Sequence, residues 1–209
     1  MVGVMLAGTA MAQTTASATT DLNLRAGPGP NYAIIDVIGA SDTAMVEGCL
    51  TDANWCKVDY NGTMGWAYGD YLTVPVNGEP MVLYPNREIV EVKTVTYDSN
   101  DQATAAATIG TMGAIAGSLI VGGPAAIAVG ALAGSALGAV STPDETVVTY
   151  AVQNPVEPVF VGGEVVVGAG IPDTVTLYPV PDTEFRYVNL NGQYVFVGPE
   201  DRNIVYIER

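Results

Sequence analysis

Few side chains in this sequence could make or break a covalent bond. The 209 residues include no histidine, which removes Ser-His-Asp and Cys-His nucleophiles and most transition-metal sites. Two adjacent carboxylate pairs, Asp144-Glu145 and Glu200-Asp201, follow prolines at turns. Solvated acids are the default there, and a general acid–base pair is not expected. None of the glycine-rich stretches leads into the Lys-Ser/Thr of a phosphate loop, and Gly168-Ala169-Gly170 lacks the third glycine of a dinucleotide site. No calcium-loop spacing of acids occurs. The expectation is no catalytic residue, no metal and no cofactor. The net charge of −15 repels a phosphate backbone, so nucleic acid is not an expected partner.

Binding chemistry and one covalent link remain. Tyr32, Trp55, Tyr60, Trp66, Tyr68 and Tyr71 crowd a short stretch. Aromatic faces stack on sugars and on proline-like peptide surfaces, while their polar edges hydrogen-bond. Asn23 and Arg25 share one side of an alternating segment. The candidate ligand-binding set is therefore Asn23, Arg25, Tyr32, Trp55, Trp66 and Tyr68. Two alternatives stay open: Trp55 and Trp66 belong either to a groove or to a core, and Arg25 either lines that groove or pairs with Asp36 or Asp42. Cys49 and Cys56 are seven apart. In an exported protein that spacing predicts a disulfide closing a hairpin. The loop-entropy relation gives such a link about 2–3 kcal/mol. A redox-active pair is not expected, because the spacing is not Cys-x-x-Cys.

The elements that must position these residues can be read from periodicity. Leu22–Arg25 alternates apolar and polar, as a half-buried strand does. Residues 26–31 hold two prolines and two glycines and read as a broad loop. Residues 33–38 and 44–50 are strand-like. Trp55–Tyr60 alternates again, Asn61-Gly62 predicts a tight hairpin turn, and residues 64–68 form the return strand before a short helical turn over 68–72. Five short strands with these turns make a small β-barrel. The pattern Leu22-Asn23-Leu24-Arg25-Ala26-Gly27-Pro28-Gly29-Pro30-Asn31-Tyr32, then Trp55-x-Lys57-Val58, then Gly62-x-x-Gly65-Trp66-Ala67 and Tyr71-Leu72, resembles the bacterial SH3 domain family. The resemblance implies a module that recognises peptidoglycan or peptides, or that targets a neighbouring domain.

Composition changes most sharply at residues 102–143, which carry no charge. Residues 103–121 and 125–140 are rich in Ala, Gly, Ile and Leu and are split by Gly122-Gly123-Pro124, a helix breaker. Gly113 and Gly117 in the first segment, and Gly130, Gly134 and Gly138 in the second, put a smooth stripe on one helix face, the pattern that lets helices pack closely in lipid. The stretch resembles the glycine-zipper two-helix family of bacterial envelope proteins. A buried soluble hairpin and a disordered apolar linker remain the alternatives, because Ala and Gly are weakly apolar. Both flanks are acidic, which favours a hairpin with both ends on the non-cytoplasmic side.

The remainder reads as β-rich. Residues 146–152 and 159–167 are β-branched runs, residues 185–190 and 194–197 flank a second Asn-Gly signal at Asn191-Gly192, and residues 204–207 form a last strand. The features Leu177-Tyr178-Pro179, Asn191-Gly192 and Arg202-x-Ile204-Val205-Tyr206 resemble a C-terminal family of unknown function in exported bacterial proteins, over about residues 171–209. Leu83-Tyr84-Pro85 echoes Leu177-Tyr178-Pro179 and suggests that the two segments pair. Residues 1–12 have the apolar core and the small-x-small site of a secretory signal, without a basic leader.

The expected organisation is a signal over 1–12, a flexible linker over 13–20, an SH3-like barrel over 21–74, an extended connector over 75–102 with strands at 81–83 and 89–96, a glycine-zipper hairpin over 103–140 and a β-rich domain over 144–209. The fold class is mainly β with an α-helical hairpin. The expected function is non-enzymatic. An exported, periplasmic and membrane-associated adaptor would bind peptidoglycan or an envelope protein or peptide through its barrel. The alternative is a structural membrane protein that forms homo-oligomers through the zipper.

Overall fold

A computed structural model describes residues 14–97, 142–198 and 202–209. The segment expected to be a secretory signal, the stretch expected to form a glycine-zipper helical hairpin, and the pair Glu200-Asp201 lie outside the described residues. The described part is mainly β, with two sheets and, among the described residues, one α-helix.

The first sheet has eight strands: β1 (Thr14–Ala18), β2 (Leu22–Arg25), β3 (Ile34–Ile38), β4 (Thr43–Cys49), β5 (Trp55–Tyr60), β6 (Thr63–Tyr68), β7 (Leu72–Val76) and β8 (Glu79–Val82). Their spatial order is β3-β2-β6-β5-β4-β1-β7-β8, so β3 and β8 are edges. The β5–β6 hairpin turns at Asn61 and Gly62, both with positive φ (51° and 86°), the geometry that favours Asn-Gly. Gly65 in β6 answers a different need. A Cβ there would lie 2.6 Å from Leu24 Cγ and 3.0 Å from the Arg25 carbonyl oxygen, so β2 and β6 approach this closely only over a glycine. A 3₁₀ turn at Gly69–Tyr71 occupies the expected helical position.

Two segments of the first half depart from the sequence reading. Residues 14–18 were expected to be linker, yet β1 lies between β4 and β7 in the sheet, pairing Thr14–Ser17 with Val46–Thr43 and Ser17–Ala18 with Thr73–Leu72. The Thr/Ser/Ala composition hid a strand whose small residues Ala16 and Ala18 are buried in the core. Residues 89–96 do not form a strand. They make turns after a 3₁₀ turn at Tyr84–Asn86, and only Thr94 bridges to Cys49. The Cys49 N–H donates to the Lys93 carbonyl (2.9 Å) and the Val95 N–H to the Cys49 carbonyl (3.0 Å), which clips this stretch beside the Cys49–Cys56 disulfide.

The second sheet holds β9 (Tyr178–Pro179), β10 (Arg186–Leu190), β11 (Gln193–Val197) and β12 (Ile204–Ile207) in the order β12-β11-β10-β9. Its hairpin turns at Asn191-Gly192, again with positive φ. The run at 146–152 is not a strand but lies within helix α1 (Glu145–Gln153). The Asp144 carboxylate accepts from the Thr146 and Val147 N–H groups, capping the helix, and Val147 and Ala151, four apart, share its buried face. A local cap outweighs the β-branched composition. Residues 159–167 likewise form no strand. Val159 bridges Leu190 once, and the Asn191 side chain takes the Val161 N–H. The two Leu-Tyr-Pro motifs also differ: Tyr84 begins a 3₁₀ turn, whereas Tyr178 lies in β9, paired with β10.

The second sheet is apolar on both faces. Tyr187 and Phe196, cross-strand partners, pack with Val147 and Ala151 of α1. Val188 and Val195 face the opposite way and join a core that runs without interruption through Val161, Val165 and Val166 into Leu22, Leu24, Val58 and Leu72 of the first sheet. The two sheets therefore share one hydrophobic core.

Candidate functional site

Strand registers place the candidate residues. Arg25 pairs with Trp66, Lys57 with Trp66, and Trp55 with Tyr68. Side chains opposite one another share a face, so Arg25, Trp66, Tyr68, Trp55 and Lys57 lie on one outer face of β2, β6 and β5. Leu22, Leu24, Cys56, Val58 and Ala67 point into the core behind it. Asn23, two residues from Arg25, extends the same face, and Tyr32 joins it through its carbonyl, which accepts from Arg25 Nη1 at 2.8 Å. The geometry brings all six candidates together.

It also covers four of them, Asn23, Arg25, Trp55 and Trp66. All four residues of β2 are buried, which corrects the expectation of a half-buried strand. Neither Asp36 nor Asp42 is the partner of Arg25. Its Nε and Nη2 both reach the carboxylate of Glu164, the latter to Oε1 at 2.6 Å, and both side chains are fully buried. Nη1 donates to the Pro30 and Tyr32 carbonyls. Glu164 Oε1 also accepts from Asn23 Nδ2 (3.1 Å) and from the Val165 N–H (2.8 Å). Asn23 Nδ2 also donates to Gln193 Oε1 at 2.8 Å. This arrangement meets the requirement for a buried ion pair, in which further hydrogen bonds must satisfy each charge. Arg209 repeats the connection at the rim, where its Nη1 donates to Asp21 Oδ2 at 2.9 Å.

The aromatic residues form two clusters. Tyr97 lies edge-on to both Tyr32 (5.8 Å between ring centroids) and Trp66 (5.5 Å). Tyr68 lies edge-on to Trp55 (5.4 Å) and tilted against Tyr71 (5.9 Å). Trp55 and Trp66 are 4% and 5% exposed, so both are core-like, and the half-buried rings of Tyr32 and Tyr68 are the accessible ones. Burial first, then the charge of Asp70, pushes the Tyr68 hydroxyl up to about 12, so it stays a neutral hydrogen-bonding group. Burial also raises the Asp70 carboxyl, partly offset by a hydrogen bond from Asn54 Nδ2 at 2.6 Å. Among the described residues, no three His, Cys, Asp or Glu side chains gather as a metal-ligating group.

Residues 20–73 match the bacterial SH3 domain family. Residues 150–209 match a domain of unknown function, DUF1236. No curated protein and no solved structure matches the chain. A bacterial SH3 domain points to a binding or adaptor role, since such domains generally mediate contacts with peptides or proteins. The Cys49–Cys56 disulfide forms within this domain. No described helix is long and apolar enough to cross a membrane.

The decisive residue missed by sequence reasoning is Glu164, together with Gln193 and Tyr97. The sequence did carry a signal for the first. Glu164 stands alone between Gly162-Gly163 and Val165-Val166-Val167. A single charge in an apolar run is rarely buried without a partner. The bacterial SH3 domain supplies that partner, and the part of its outer face at Asn23 and Arg25 is the docking surface of the DUF1236 domain.

Proposed function

We propose that the chain is a non-enzymatic binding protein of the bacterial cell envelope. Its bacterial SH3 domain recognises peptidoglycan or an envelope peptide, and the DUF1236 domain holds that module in a fixed orientation. The observation that carries this reading is the SH3 domain match over residues 20–73, in which Tyr32 of the β2–β3 loop and Tyr68 of β6 are partly exposed beside buried tryptophans. Accessible tyrosines stack on sugars and peptides without bond breakage, and the absence of histidine fits a non-catalytic role. The disulfide supports an oxidising, exported location, where such links persist. Cosedimentation of the full chain with purified peptidoglycan at low salt tests the reading. Binding is expected, and Tyr32→Ala with Tyr68→Ala is expected to weaken it. No binding, or binding indifferent to both substitutions, counts against it.

A further inference from the structure

One described segment outside both matched regions is seated on the aromatic face of the bacterial SH3 domain. Lys93-Thr94-Val95-Thr96-Tyr97 follows the first match (20–73) and precedes the second (150–209). It starts beside the end of β4. There Thr94 bridges Cys49 in parallel, the Cys49 N–H donates to the Lys93 carbonyl, and the Val95 N–H donates to the Cys49 carbonyl. It ends with the Tyr97 ring edge-on to Tyr32 (5.8 Å, 79°) and to Trp66 (5.5 Å, 87°).

The seating is that of a bound peptide. The segment is extended, and its exposure alternates with period two: Thr94 and Thr96 are exposed, while Val95 and Tyr97 are partly buried. Its backbone pairs with β4, and its inward side chains meet the domain, the two components of recognition by strand addition. The domain also makes room for it. Gly48 pairs with Lys57, which pairs with Trp66, so a side chain at Gly48 would stand on the same outer face. A Cβ there would lie 2.5 Å from Val95 Cγ1 and 2.7 Å from the Lys93 carbonyl oxygen. The φ of Gly48 is not positive, so close approach of the segment, not turn geometry, is what glycine serves here.

We propose that residues 93–97 are a built-in occupant of an extended-peptide site, and that this site binds an external peptide of the same pattern once they lift away. The pattern is an aromatic residue two positions after a β-branched one. Cys49 supplies the backbone partners, Gly48 admits the β-branched side chain, and Tyr32 with Trp66 receives the aromatic ring. The inference rests on the binding reading above and deepens it, naming the peptide and adding that the resting chain holds its own face closed. A segment tethered this closely competes at an effective concentration on the order of millimolar. The affinity for an external peptide falls by the fraction of molecules whose site is vacant.

The test uses the full chain and two fluorescein-labelled peptides of equal charge, Lys-Thr-Val-Thr-Tyr and Lys-Thr-Val-Thr-Ala. The double change Val95→Pro with Tyr97→Ala frees the face, since proline removes the N–H that the Cys49 carbonyl accepts and alanine removes the ring. By fluorescence anisotropy this variant is expected to bind the first peptide at least about tenfold more tightly than the unaltered chain does, and the second about tenfold more weakly than the first. Adding Gly48→Ala is expected to abolish binding, because the new methyl stands where the peptide must lie. In the unaltered chain, hydrogen exchange gives a second measure: millimolar peptide is expected to lower the protection of the Val95 amide, since peptide and segment exclude each other. No binding by the freed variant, equal binding of the two peptides, equal binding by the freed and unaltered chains, indifference to Gly48→Ala, or unchanged Val95 protection overturns the inference. Peptidoglycan cosedimentation separates it from the reading above: sedimentation of the unaltered chain without peptide binding by the freed variant removes the inference alone. Peptide binding by the freed variant without sedimentation of either protein removes peptidoglycan and leaves the peptide site.

Discussion

Glu164 shows how one side chain ties two families together. Its carboxylate takes two donors from Arg25, a third from Asn23 and a fourth from the Val165 N–H, and all three side chains are fully buried. Removing one member of such a pair leaves the other charge buried, which costs about 3–5 kcal/mol. Glu164→Ala is expected to lower the urea midpoint accordingly. Replacing both members with apolar side chains, Arg25→Met with Glu164→Leu, is expected to recover much of the loss, because shape survives and no charge is stranded. Equal destabilisation by the single and double changes would contradict that account. The alternation of Leu22 to Arg25 correctly placed Asn23 and Arg25 on one side of a strand. It could not say what covers that side, because the partner lies 139 residues away. Asp36 and Asp42 were nearer in sequence, and nearness misled.

At the scale of elements, the legible features were those set by local geometry. Asn61-Gly62 and Asn191-Gly192 turn the chain because their backbones need positive φ, and both hairpins form. The misread elements depended on capping or on tertiary partners. Helix α1 is the clearest case, since Asp144 caps it and, of its valines, only Val147 joins Ala151 on its buried face. The Asp144 carboxyl is held below the ordinary carboxylate range, first by the Thr146 hydroxyl and then by the Val147 N–H. A lowered carboxyl contributes stability that is present above the unfolded value, near pH 4, and lost as pH falls through the lowered value. Protection factors for hydrogen exchange over residues 145–153 are therefore expected to fall below about pH 4. Asp144→Ala should lower them at neutral pH, and Asp144→Asn much less. The disulfide makes a second prediction at this scale. Cys49→Ala with Cys56→Ala, or reduction of the native chain, is expected to cost about 2–3 kcal/mol in denaturant unfolding, because only a short loop is closed.

For the molecule as a whole, the order of the two β units was legible and their association was not. Each unit has its own hairpin signals, but the outward polar face of one and the lone acid of the other gain meaning only when placed together. The shared core and the two Arg–carboxylate contacts fasten residues 14–97 to residues 142–209 independently of the chain that links them. The covalent connection between Tyr97 and Thr142 is then dispensable for cohesion. A protease site engineered into that connection, once cut, is expected to yield two polypeptides that migrate as one particle in gel filtration and separate in denaturant. Two polypeptides synthesised apart should, by the same reasoning, reconstitute the particle on mixing, each half serving as the template on which the other comes to rest.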